Sequence, residues 1–420
     1  MVSKHLRIVV IGGGAAGFFG AITCAETHPH AQVTLLEAGR QPLSKVRISG
    51  GGRCNVTHAC FDPARLVSSY PRGGKALRGA FSRFQPKNTV AWFQSRGVQL
   101  KTEADGRMFP ITNSSETIVN CLLEAAEDAG VRLRTGAAVT SVGRLLSEGE
   151  STEKFKIELK NGEILECDRL LLATGSNPQG YRWVKDFGHT IESPVPSLFT
   201  FTIPDSRLQD LAGVSVDEVC LRLADAPPTL KEQTGPLLIT HWGLSGPAVL
   251  KLSAWGARFL HEQHYQTPLL INWLPQYNQD SLRQLLLEVK SQTPRRQITT
   301  SCPVPLPKRL WMSLVTHVGI GAEERWAEVS KKVLNQLGQE LIQGRYLIKG
   351  KGVFKEEFVT CGGVNLKEVD FKTMESRLIP GLYLAGEILD IDGVTGGFNF
   401  QNAWTTGWLA GQGMGKLELN

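Results

Sequence analysis

Residues 7–17, RIVVIGGGAAG, join an apolar run to a glycine-rich turn near the start of the chain. The β-branched run at 8–11 predicts a parallel strand that is buried on both faces. The turn has the G-x-G-x-x-G spacing. Gly12 permits a sharp turn, Gly14 lets the backbone approach a pyrophosphate, and Gly17 lets a helix pack closely on the strand. The free N–H groups and the dipole at the start of that helix favour a bound phosphate.

The residues after this turn support a dinucleotide-binding unit. Apolar residues recur at helical spacing from Phe18 to Ala25, and a second strand is predicted at Gln32–Leu36. This strand leads into Glu37, twenty residues after Gly17, where an acid can hydrogen-bond the adenosine ribose. Because a carboxylate at this position disfavours a 2′-phosphate, the sequence favours FAD or NAD over NADP.

Composition sets wide bounds on the class of protein. The chain has 420 residues, of which 41% are hydrophobic and 20% charged, so it has room for two or three globular domains. The formal net charge of +6 permits anionic ligands or RNA. The same charge also fits a slightly basic surface with no role in nucleic-acid binding.

Three absences narrow the class further. No apolar run reaches the length of a transmembrane helix, and residues 1–5 leave no room for a signal peptide before the first strand. The eight cysteines include no C-x-x-C pair, which fits reduced thiols rather than a disulfide framework or a zinc site. We therefore expect a cytoplasmic protein with no metal ion and no membrane partner.

A second glycine-rich segment, QPLSKVRISGGGRCNVTH, spans residues 41–58. Lys45, Arg47 and Arg53 flank the run Gly50–Gly52, so the segment is either a flexible loop or a nest that contacts the cofactor directly. Cys54 lies inside it. Neighbouring cations could lower the pKa of its thiol, but the residue also fits a simple packing role.

Two later segments return to the same predicted edge of the sheet. Residues 131–142 are strand-like, and Arg169–Ala173 is predicted to be a buried strand that ends in Thr174-Gly175. Tyr383–Ala385 reads as another strand, followed by Gly386-Glu387, a glycine-rich loop at 390–401 and an apolar helix. This is a second strand-to-helix turn directed at one ligand, so the cofactor domain is predicted to be discontinuous.

The middle of the chain has a different pattern of apolar residues. Short strand-like runs alternate between residues 195 and 277, and helical periodicity dominates from 278 to 344. We therefore predict an α/β protein with three parts. These are a Rossmann-like FAD-binding domain from 1–194 and 345–420, a β-rich insert at 195–277, and a helical subdomain at 278–344.

At this point the motifs resemble a known family. SGGGRCNVT at 49–57, GRMFP at 106–110, THWGLSGP at 240–247 and GEILDIDGVTGGFNFQ at 386–401 resemble the BaiN-like flavoproteins. These are also called aminoacetone oxidase-like FAD-binding proteins, and they belong to the wider NAD(P)/FAD-dependent oxidoreductases. The resemblance covers nearly the whole chain and implies FAD as cofactor, with a β-barrel-like insert and a helical subdomain.

The resemblance also implies roles for individual residues. One group would bind the pyrophosphate and ribose, a second would line the flavin, and a third would hold the middle of the cofactor and place a helix start near its pyrimidine edge. Val139 would meet the adenine through its backbone. The implied cofactor-binding residues are Gly12, Gly14, Ala15, Ala16, Gly17, Glu37, Arg53, Cys54, Asn55, Val139, Thr174, Gly175, Gly386, Glu387, Gly397, Asn399 and Phe400.

Two features depart from the family pattern. His58 stands where the family often has Asn, and Gly175 is followed directly by Ser176, where the family often has a longer glycine-rich segment. These departures suggest a branch of the family whose substrate differs.

The implied function is transfer of hydride or electrons between FAD and a substrate bound between the FAD domain and the insert. No second strand–G-x-G-x-x-G–helix unit occurs in the sequence, so electrons are expected to come from NAD(P)H that docks transiently or from the substrate itself, with oxygen as an acceptor in the second case. The resemblance leaves three substrate classes open: uridine in ribosomal RNA for a flavin-dependent reductase, conjugated C=C bonds in steroid-like enones, and amines for an oxidase that uses oxygen. A non-catalytic FAD-binding protein is a further alternative. The expected partner is accordingly a small-molecule substrate or ribosomal RNA.

The catalytic acid or base is not fixed by these motifs. His241, in THWGLSGP, is a candidate proton donor, although it would equally fit a role in shaping its own turn. Cys54 is a second candidate, as a proton donor or redox partner.

Overall fold

The computed structural model describes residues 6–145, 154–352 and 359–416. Residues 1–5, on which the signal-peptide expectation depends, lie outside this range. The chain divides into two compact units, residues 1–194 with 359–420 and residues 195–358. We call them the first unit and the second unit.

The elements are numbered in chain order. The strands are β1 Leu6–Ile11, β2 Ala31–Leu36, β3 Thr57–His58, β4 Leu100–Thr102, β5 Arg107–Pro110, β6 Arg132–Arg134, β7 Val139–Leu145, β8 Lys154–Leu159, β9 Ile164–Cys167, β10 Arg169–Leu172, β11 Ile191–Ser197, β12 Phe201–Thr202, β13 Ser215–Leu223, β14 Gln233–Thr240, β15 Gly243–Ser245, β16 Thr267–Asn272, β17 Gly344–Ile348, β18 Gly350–Lys351, β19 Val359–Val364, β20 Val369–Asp370, β21 Glu375–Ser376 and β22 Leu382–Leu384. The helices are α1 Ala15–Thr27, α2 Ser44–Gly52, α3 Pro63–Leu66, α4 Gly74–Phe81, α5 Pro86–Gln94, α6 Ser115–Asp128, α7 Pro178–Asp186, α8 Pro247–Trp255, α9 Ala257–Glu262, α10 Gln279–Gln292, α11 Lys308–His317, α12 Lys331–Gln343 and α13 Phe398–Met414. Short 3₁₀ turns occur at Val67–Ser69, Ser206–Leu208, Leu366–Glu368 and Gly386–Ile388.

A mainly parallel sheet forms the centre of the first unit, in the order β20-β21-β22-β10-β1-β2-β6. The strands from β22 to β6 run parallel, and β20 and β21 extend the sheet antiparallel. Ile8 pairs with Val33 on one side and with Arg169 on the other. The prediction of a central strand buried on both faces is confirmed, because the apolar run leaves no polar face for water.

Helices from the two ends of the chain pack directly on each other. A Cβ atom built at Gly407 in α13 would lie 2.5 Å from the carbonyl oxygen of Ala16 in α1. A Cβ atom built at Gly411 would lie 2.7 Å from the carbonyl oxygen of Gly20. These glycines let the two backbones approach closely, so the C-terminal helix is fixed beside the first strand-to-helix turn.

The second unit contains an antiparallel sheet in the order β17-β16-β13-β14-β15-β12-β18. The segment 344–351 carries both edge strands: β17 pairs with β16, and β18 pairs with β12. One stretch of chain therefore closes the sheet on itself. This geometry is barrel-like, as the resemblance implied.

The boundaries within the second unit differ from the sequence expectation. Residues 345–351 belong to its sheet, although the sequence had placed them in the FAD-binding domain. The helical segment also shares one hydrophobic core with the strands, since Leu282 and Leu337 lie in the same buried cluster as Leu221 and Leu269. Periodicity reports the type of each element but not which core the element joins.

A second difference concerns residues 131–142. They form two strands in different sheets, β6 in the central sheet and β7 in a separate antiparallel sheet with β8 and β9. Gly136 lies between them with φ +66°. A left-handed backbone turns the chain there, and a continuous apolar pattern does not reveal such a turn.

Candidate active site

The Gly12–Gly17 turn adopts the geometry that its spacing predicts. Gly12 has φ +114°, and a Cβ atom there would lie 2.3 Å from the carbonyl oxygen of Ala173. A Cβ atom at Gly17 would lie 1.9 Å from the carbonyl oxygen of Gly12. By contrast, no described heavy atom comes within 4 Å of a Cβ built at Gly14, and no described side chain caps α1. The start of α1, whose first residues are Ala15 and Ala16, is therefore tightly packed at Gly12 and Gly17 and open at Gly14.

Glu37 folds back onto this turn. Its carboxylate accepts hydrogen bonds from the backbone N–H of Gly13 at 2.8 Å and of Gly39 at 2.7 Å. Ala137 donates its N–H to the carbonyl oxygen of Glu37 at 2.9 Å, which brings the start of β7 at Val139 close to the same place. The acid and the strand expected at the adenosine end of the cofactor thus lie together.

The second strand-to-helix turn meets the first. Gly386 has φ +77°, and a Cβ atom there would lie 2.9 Å from the Cβ of Ala16. Gly386 also donates its N–H to the hydroxyl of Thr406 in α13 at 2.9 Å. Gly175 is adjacent, because its Cβ position would lie 3.5 Å from the carboxylate of Glu387.

The glycine run Gly50–Gly52 is left-handed throughout, with φ between +56° and +81°. No described atom lies within 4 Å of a Cβ at Gly51 or Gly52, so this backbone is open.

The flanking cations, however, are compensated. Lys45 pairs with Glu387 at 2.6 Å, Arg53 pairs with Glu103 at 2.7 Å, and Arg47 pairs with Glu116. The guanidinium of Arg53 also lies over the ring of Phe109, 4.0 Å from its centroid. Any anion binding at this loop would accordingly depend on backbone N–H groups rather than on net positive charge.

Cys54 is fully buried, and its backbone is left-handed with φ +59°. Burial raises the pKa of its thiol to about 12, although a hydrogen bond with Ser49 acts in the opposite direction. Of the two roles left open for Cys54, this burial favours the packing role over a thiol with a lowered pKa, because the thiol has lost its water.

The start of α13 is held by side chains from both ends of the chain. A Cβ atom at Gly397 would lie 2.6 Å from the carbonyl oxygen of Thr57. In the amide orientation that satisfies both of its polar atoms, Asn55 accepts from the N–H of Gly397 at 3.0 Å. Asn399 accepts from the N–H of Gly393 at 2.8 Å and donates to its carbonyl at 2.9 Å, and Phe400 stacks on Trp404 at 5.7 Å.

A buried polar network beneath this helix start was not foreseen. The side-chain oxygen of Gln401 accepts from Thr57 at 2.6 Å and from Thr89 at 2.9 Å. Trp404 donates its indole N–H to the carbonyl of Val56 at 2.9 Å. A polar pair, Gln401-Asn402, inside an otherwise apolar helix was the available sequence signal, since buried polar side chains need partners.

His241 lies in the second unit, between β14 and β15, and is exposed. Exposure leaves its imidazole accessible, and its role as a proton donor stays a prediction that rests on the THWGLSGP motif.

Among the described residues, several backbone and side-chain groups of the first unit are left without partners in positions that FAD could fill. The N-termini of α1 and α13 both lack a described side-chain cap. In addition, the hydroxyl oxygen of Thr174 and the amide oxygen of Asn402 are buried without a hydrogen-bond partner in the described part of the chain. Such atoms are costly to leave unpaired, by about 1–3 kcal/mol each. The open start of α1 and these unsatisfied polar atoms fit a polar cofactor bound along this edge.

The fold and this site define a dinucleotide-binding flavoenzyme with a Rossmann-type core. The chain belongs to the HI0933-like protein Rossmann domain family, which matches residues 6–413. The resemblance to the BaiN-like flavoproteins is thereby confirmed, and the protein is a FAD-dependent oxidoreductase.

Curated relatives cover nearly the whole chain. The ribosomal RNA dihydrouridine synthase of Escherichia coli (strain K12) is 31% identical over 97% of this chain and 98% of the relative. The protein of the same name from Haemophilus influenzae is 30% identical, with the same coverage. The 3-dehydro-bile acid delta(4,6)-reductase of Clostridium scindens is 29% identical over 97% of this chain and 98% of the relative.

Solved structures show a similar fold at low sequence identity. A 3-ketosteroid delta1-dehydrogenase from Sterolibacterium denitrificans superposes with a TM-score of 0.52 and 12% identity, covering 97% of this chain and 99% of its own. The 3-ketosteroid-delta4-(5alpha)-dehydrogenase from Rhodococcus jostii RHA1 gives a TM-score of 0.51 and 13% identity, covering 99% of each chain. At this identity the likeness describes the fold alone.

Two further observations concern the described residues only. They contain no group of three or more His, Cys, Asp or Glu side chains arranged to hold a metal ion. None of their helices is both long enough and apolar enough to cross a membrane.

Proposed function

We propose that this protein reduces a carbon–carbon double bond conjugated to a carbonyl group, with NAD(P)H as electron donor and a uridine of ribosomal RNA as substrate. The observation that carries the substrate is the full-length similarity to two relatives named ribosomal RNA dihydrouridine synthase. Dihydrouridine is uridine with its ring double bond reduced, and that bond is conjugated to a carbonyl.

We assign the cofactor-binding roles to the residues of the two turns. Gly12, Gly14, Ala15 and Ala16 would bind the pyrophosphate through backbone N–H groups at the start of α1, and Glu37 would accept from the ribose hydroxyls. When bound, FAD supplies the transfer of hydride or electrons.

The remaining assigned residues would lie along the rest of the cofactor, with Val139 at the adenine and the others at its middle and at the flavin. Asn55 would orient the start of α13, and the dipole of that helix would stabilise negative charge on the pyrimidine edge of the reduced cofactor. The other roles are assigned to Arg53, Cys54, Val139, Thr174, Gly175, Gly386, Glu387, Gly397, Asn399 and Phe400, as implied by their motifs.

The reductase of Clostridium scindens supports the same reaction type on a different substrate. Its name describes reduction in a steroid skeleton, and its identity to this chain is almost as high as that of the other two relatives. A steroid-like enone is therefore the second candidate substrate. The formal net charge of +6 is compatible with RNA but does not discriminate between the two substrates, so RNA is placed first on the names of the other two relatives.

A direct experiment compares these substrates. Purified holoenzyme is incubated without oxygen with NADPH or NADH and with unmodified ribosomal RNA, and nucleosides are then measured by mass spectrometry. We expect dihydrouridine to form and the yellow flavin absorbance to bleach on addition of the donor. Bleaching followed by reduction of a 3-oxo steroid enone, with no dihydrouridine, would contradict the RNA assignment. Bleaching with neither product would contradict both.

We further propose that His241 supplies the proton that accompanies hydride addition. His241→Ala is then expected to leave FAD bound but to slow single-turnover reduction of the substrate by about 10²-fold or more, the usual contribution of a general acid. His317→Ala, a second exposed histidine of the same unit, serves as the matched control. Equal single-turnover rates for the two variants would remove His241 from the mechanism.

A further inference from the structure

Positive charge is concentrated in one segment of the first unit. Residues 40–107 contain thirteen Lys and Arg but only three Asp and Glu. That excess of ten exceeds the net charge of +6 for the whole chain, so the rest of the chain is net acidic. A basic excess confined to one segment is the electrostatic signature of a polyanion-binding surface.

Some of these cations are neutralised by ion pairs with carboxylates, and others are not. Arg53, Arg72, Arg96 and Arg107 each form an ion pair with a carboxylate. By contrast Arg65, Lys75 and Arg78 are exposed and form no ion pair with any described acid. We call these three residues the basic cluster.

The basic cluster lies on two short helices that are close to each other in the chain. Arg65 lies in α3, and Lys75 and Arg78 lie one turn apart in α4, on the same side of that helix. The start of α4 packs against the turn that follows α3, because a Cβ atom at Gly74 would lie 2.6 Å from the carbonyl oxygen of Val67.

A cavity of about 500 Å³ is lined by one member of the basic cluster, Arg65, together with its neighbour Asp62. Its other walls include His58, Phe61, Ser68 and Phe398. The side chain of Phe61 is 49% exposed, so part of this aromatic ring is accessible for stacking. The volume is in the range of ordinary small-ligand pockets and is sufficient for one base with its sugar.

The inner wall of this cavity is the start of α13 and is held firmly. The ring of His58 stacks on that of Phe398, with centroids 4.6 Å apart and planes at 29°. Nδ1 of His58 lies 3.1 Å from the carbonyl oxygen of Gly396, and the hydroxyl of Tyr70 donates to the carbonyl of Phe398 at 2.7 Å. The cavity therefore ends at the same helix start to which we assign the flavin.

We propose that this cavity receives an unstacked base of the RNA substrate and that the basic cluster binds the flanking phosphates. Enzymes that act on a base within structured RNA need it extruded, and aromatic rings hold extruded bases by stacking. Lys and Arg beside such a pocket bind the backbone without reading its sequence. This inference rests on the proposed function, since it supplies the binding site for that substrate.

The test reverses the charges of the basic cluster. Arg65→Glu, Lys75→Glu and Arg78→Glu are combined, and Arg295→Glu, Arg296→Glu and Arg325→Glu form the control, because these three are also exposed and form no ion pair with a described acid. Both holoenzymes carry the same change in net charge. Each is titrated with unmodified ribosomal RNA at several salt concentrations, and bound flavin confirms that each has folded.

We expect the cluster variant to bind RNA at least tenfold more weakly than wild type and the control to remain within about threefold. The slope of log Kd against log salt should fall by about two for the cluster variant, because three contacts to single-stranded phosphate are lost. Equal weakening of both variants, or of neither, would overturn the proposal.

Dihydrouridine formation separates this inference from the proposed function. If the wild type forms dihydrouridine and the cluster variant binds RNA as tightly as the control, the proposed RNA-binding surface alone would be overturned. Loss of RNA binding in the cluster variant, with no dihydrouridine from the wild type, would support the surface and overturn the function. A wild type that neither binds RNA nor forms dihydrouridine would overturn both.

The stacking role of Phe61 has its own test. Phe61→Ala should slow dihydrouridine formation about tenfold or more, whereas Phe61→Tyr, which keeps the ring, should remain near the wild-type rate. Equal rates for the two variants would exclude stacking on this ring.

Discussion

Gly17→Ala is expected to yield colourless protein with at least a tenfold lower FAD content than wild type. A Cβ atom at this position would lie 1.9 Å from the carbonyl oxygen of Gly12 and 3.1 Å from its carbonyl carbon. Both are backbone atoms, so no side-chain rotation can relieve the overlap. Relief requires α1 to move away from β1, which displaces the turn proposed to hold the pyrophosphate.

The measurement is the ratio of flavin to protein absorbance after purification and after reconstitution with excess FAD. Gly79→Ala is the control, because Gly79 lies in α4 and its Cβ would meet no described atom within 4 Å. In a helix, that substitution is expected to stabilise the fold by up to about 1 kcal/mol. Circular dichroism against wild-type apoprotein distinguishes loss of cofactor from loss of fold. Full FAD content in Gly17→Ala would contradict the proposed pyrophosphate site.

Asp392→Asn is expected to lower the free energy of unfolding by about 3–5 kcal/mol, the usual cost of removing one member of a buried ion pair. Asp392 is completely buried and accepts two hydrogen bonds from the guanidinium of Arg72, whose side chain is 14% exposed. Burial by itself lowers the pKa of Arg72, but the charge and hydrogen bonds of Asp392 outweigh burial and raise this pKa. After the substitution the guanidinium still carries its charge, because arginine is not deprotonated in proteins, and it loses that carboxylate.

Chemical denaturation of the holoenzyme measures this loss. Glu116→Gln is the control, because Glu116 pairs with Arg47 at a half-exposed site and its removal should cost at most about 1 kcal/mol. The double variant Arg72→Met with Asp392→Leu should recover much of the stability, since no charge remains buried. If Asp392→Asn is no less stable than Glu116→Gln, the buried ion pair between Arg72 and Asp392 does not contribute the expected stability.

Much of the cofactor-binding fold was predictable from the sequence. The strand Leu6–Ile11, the turn at Gly12–Gly17 and the helix after it have patterns that local sterics and periodicity determine. The second turn was recognised for the same reason, since a strand, a glycine-rich loop and an apolar helix follow one another around Gly386. Each of these signals lies within about twenty residues of chain.

Electrostatics was predicted less well than backbone geometry. Lys45, Arg47 and Arg53 suggested a positively charged nest, but their partners are Glu387, Glu116 and Glu103, between 50 and 342 residues away in sequence. The raised pKa of Cys54 was likewise not predictable, because its cause, the burial of the thiol, arises only in the folded chain.

The sequence by itself determined most of the strands, helices and tight turns, and it favoured FAD or NAD over NADP at the first turn. Those properties depend on side-chain spacing and on backbone angles within a few residues. Only the tertiary structure decided that α13 packs on α1, that residues 344–351 close the second sheet, and that the basic cluster adjoins a cavity at the start of α13. These properties depend on contacts between segments far apart in the chain, and the folding of the whole chain selects them.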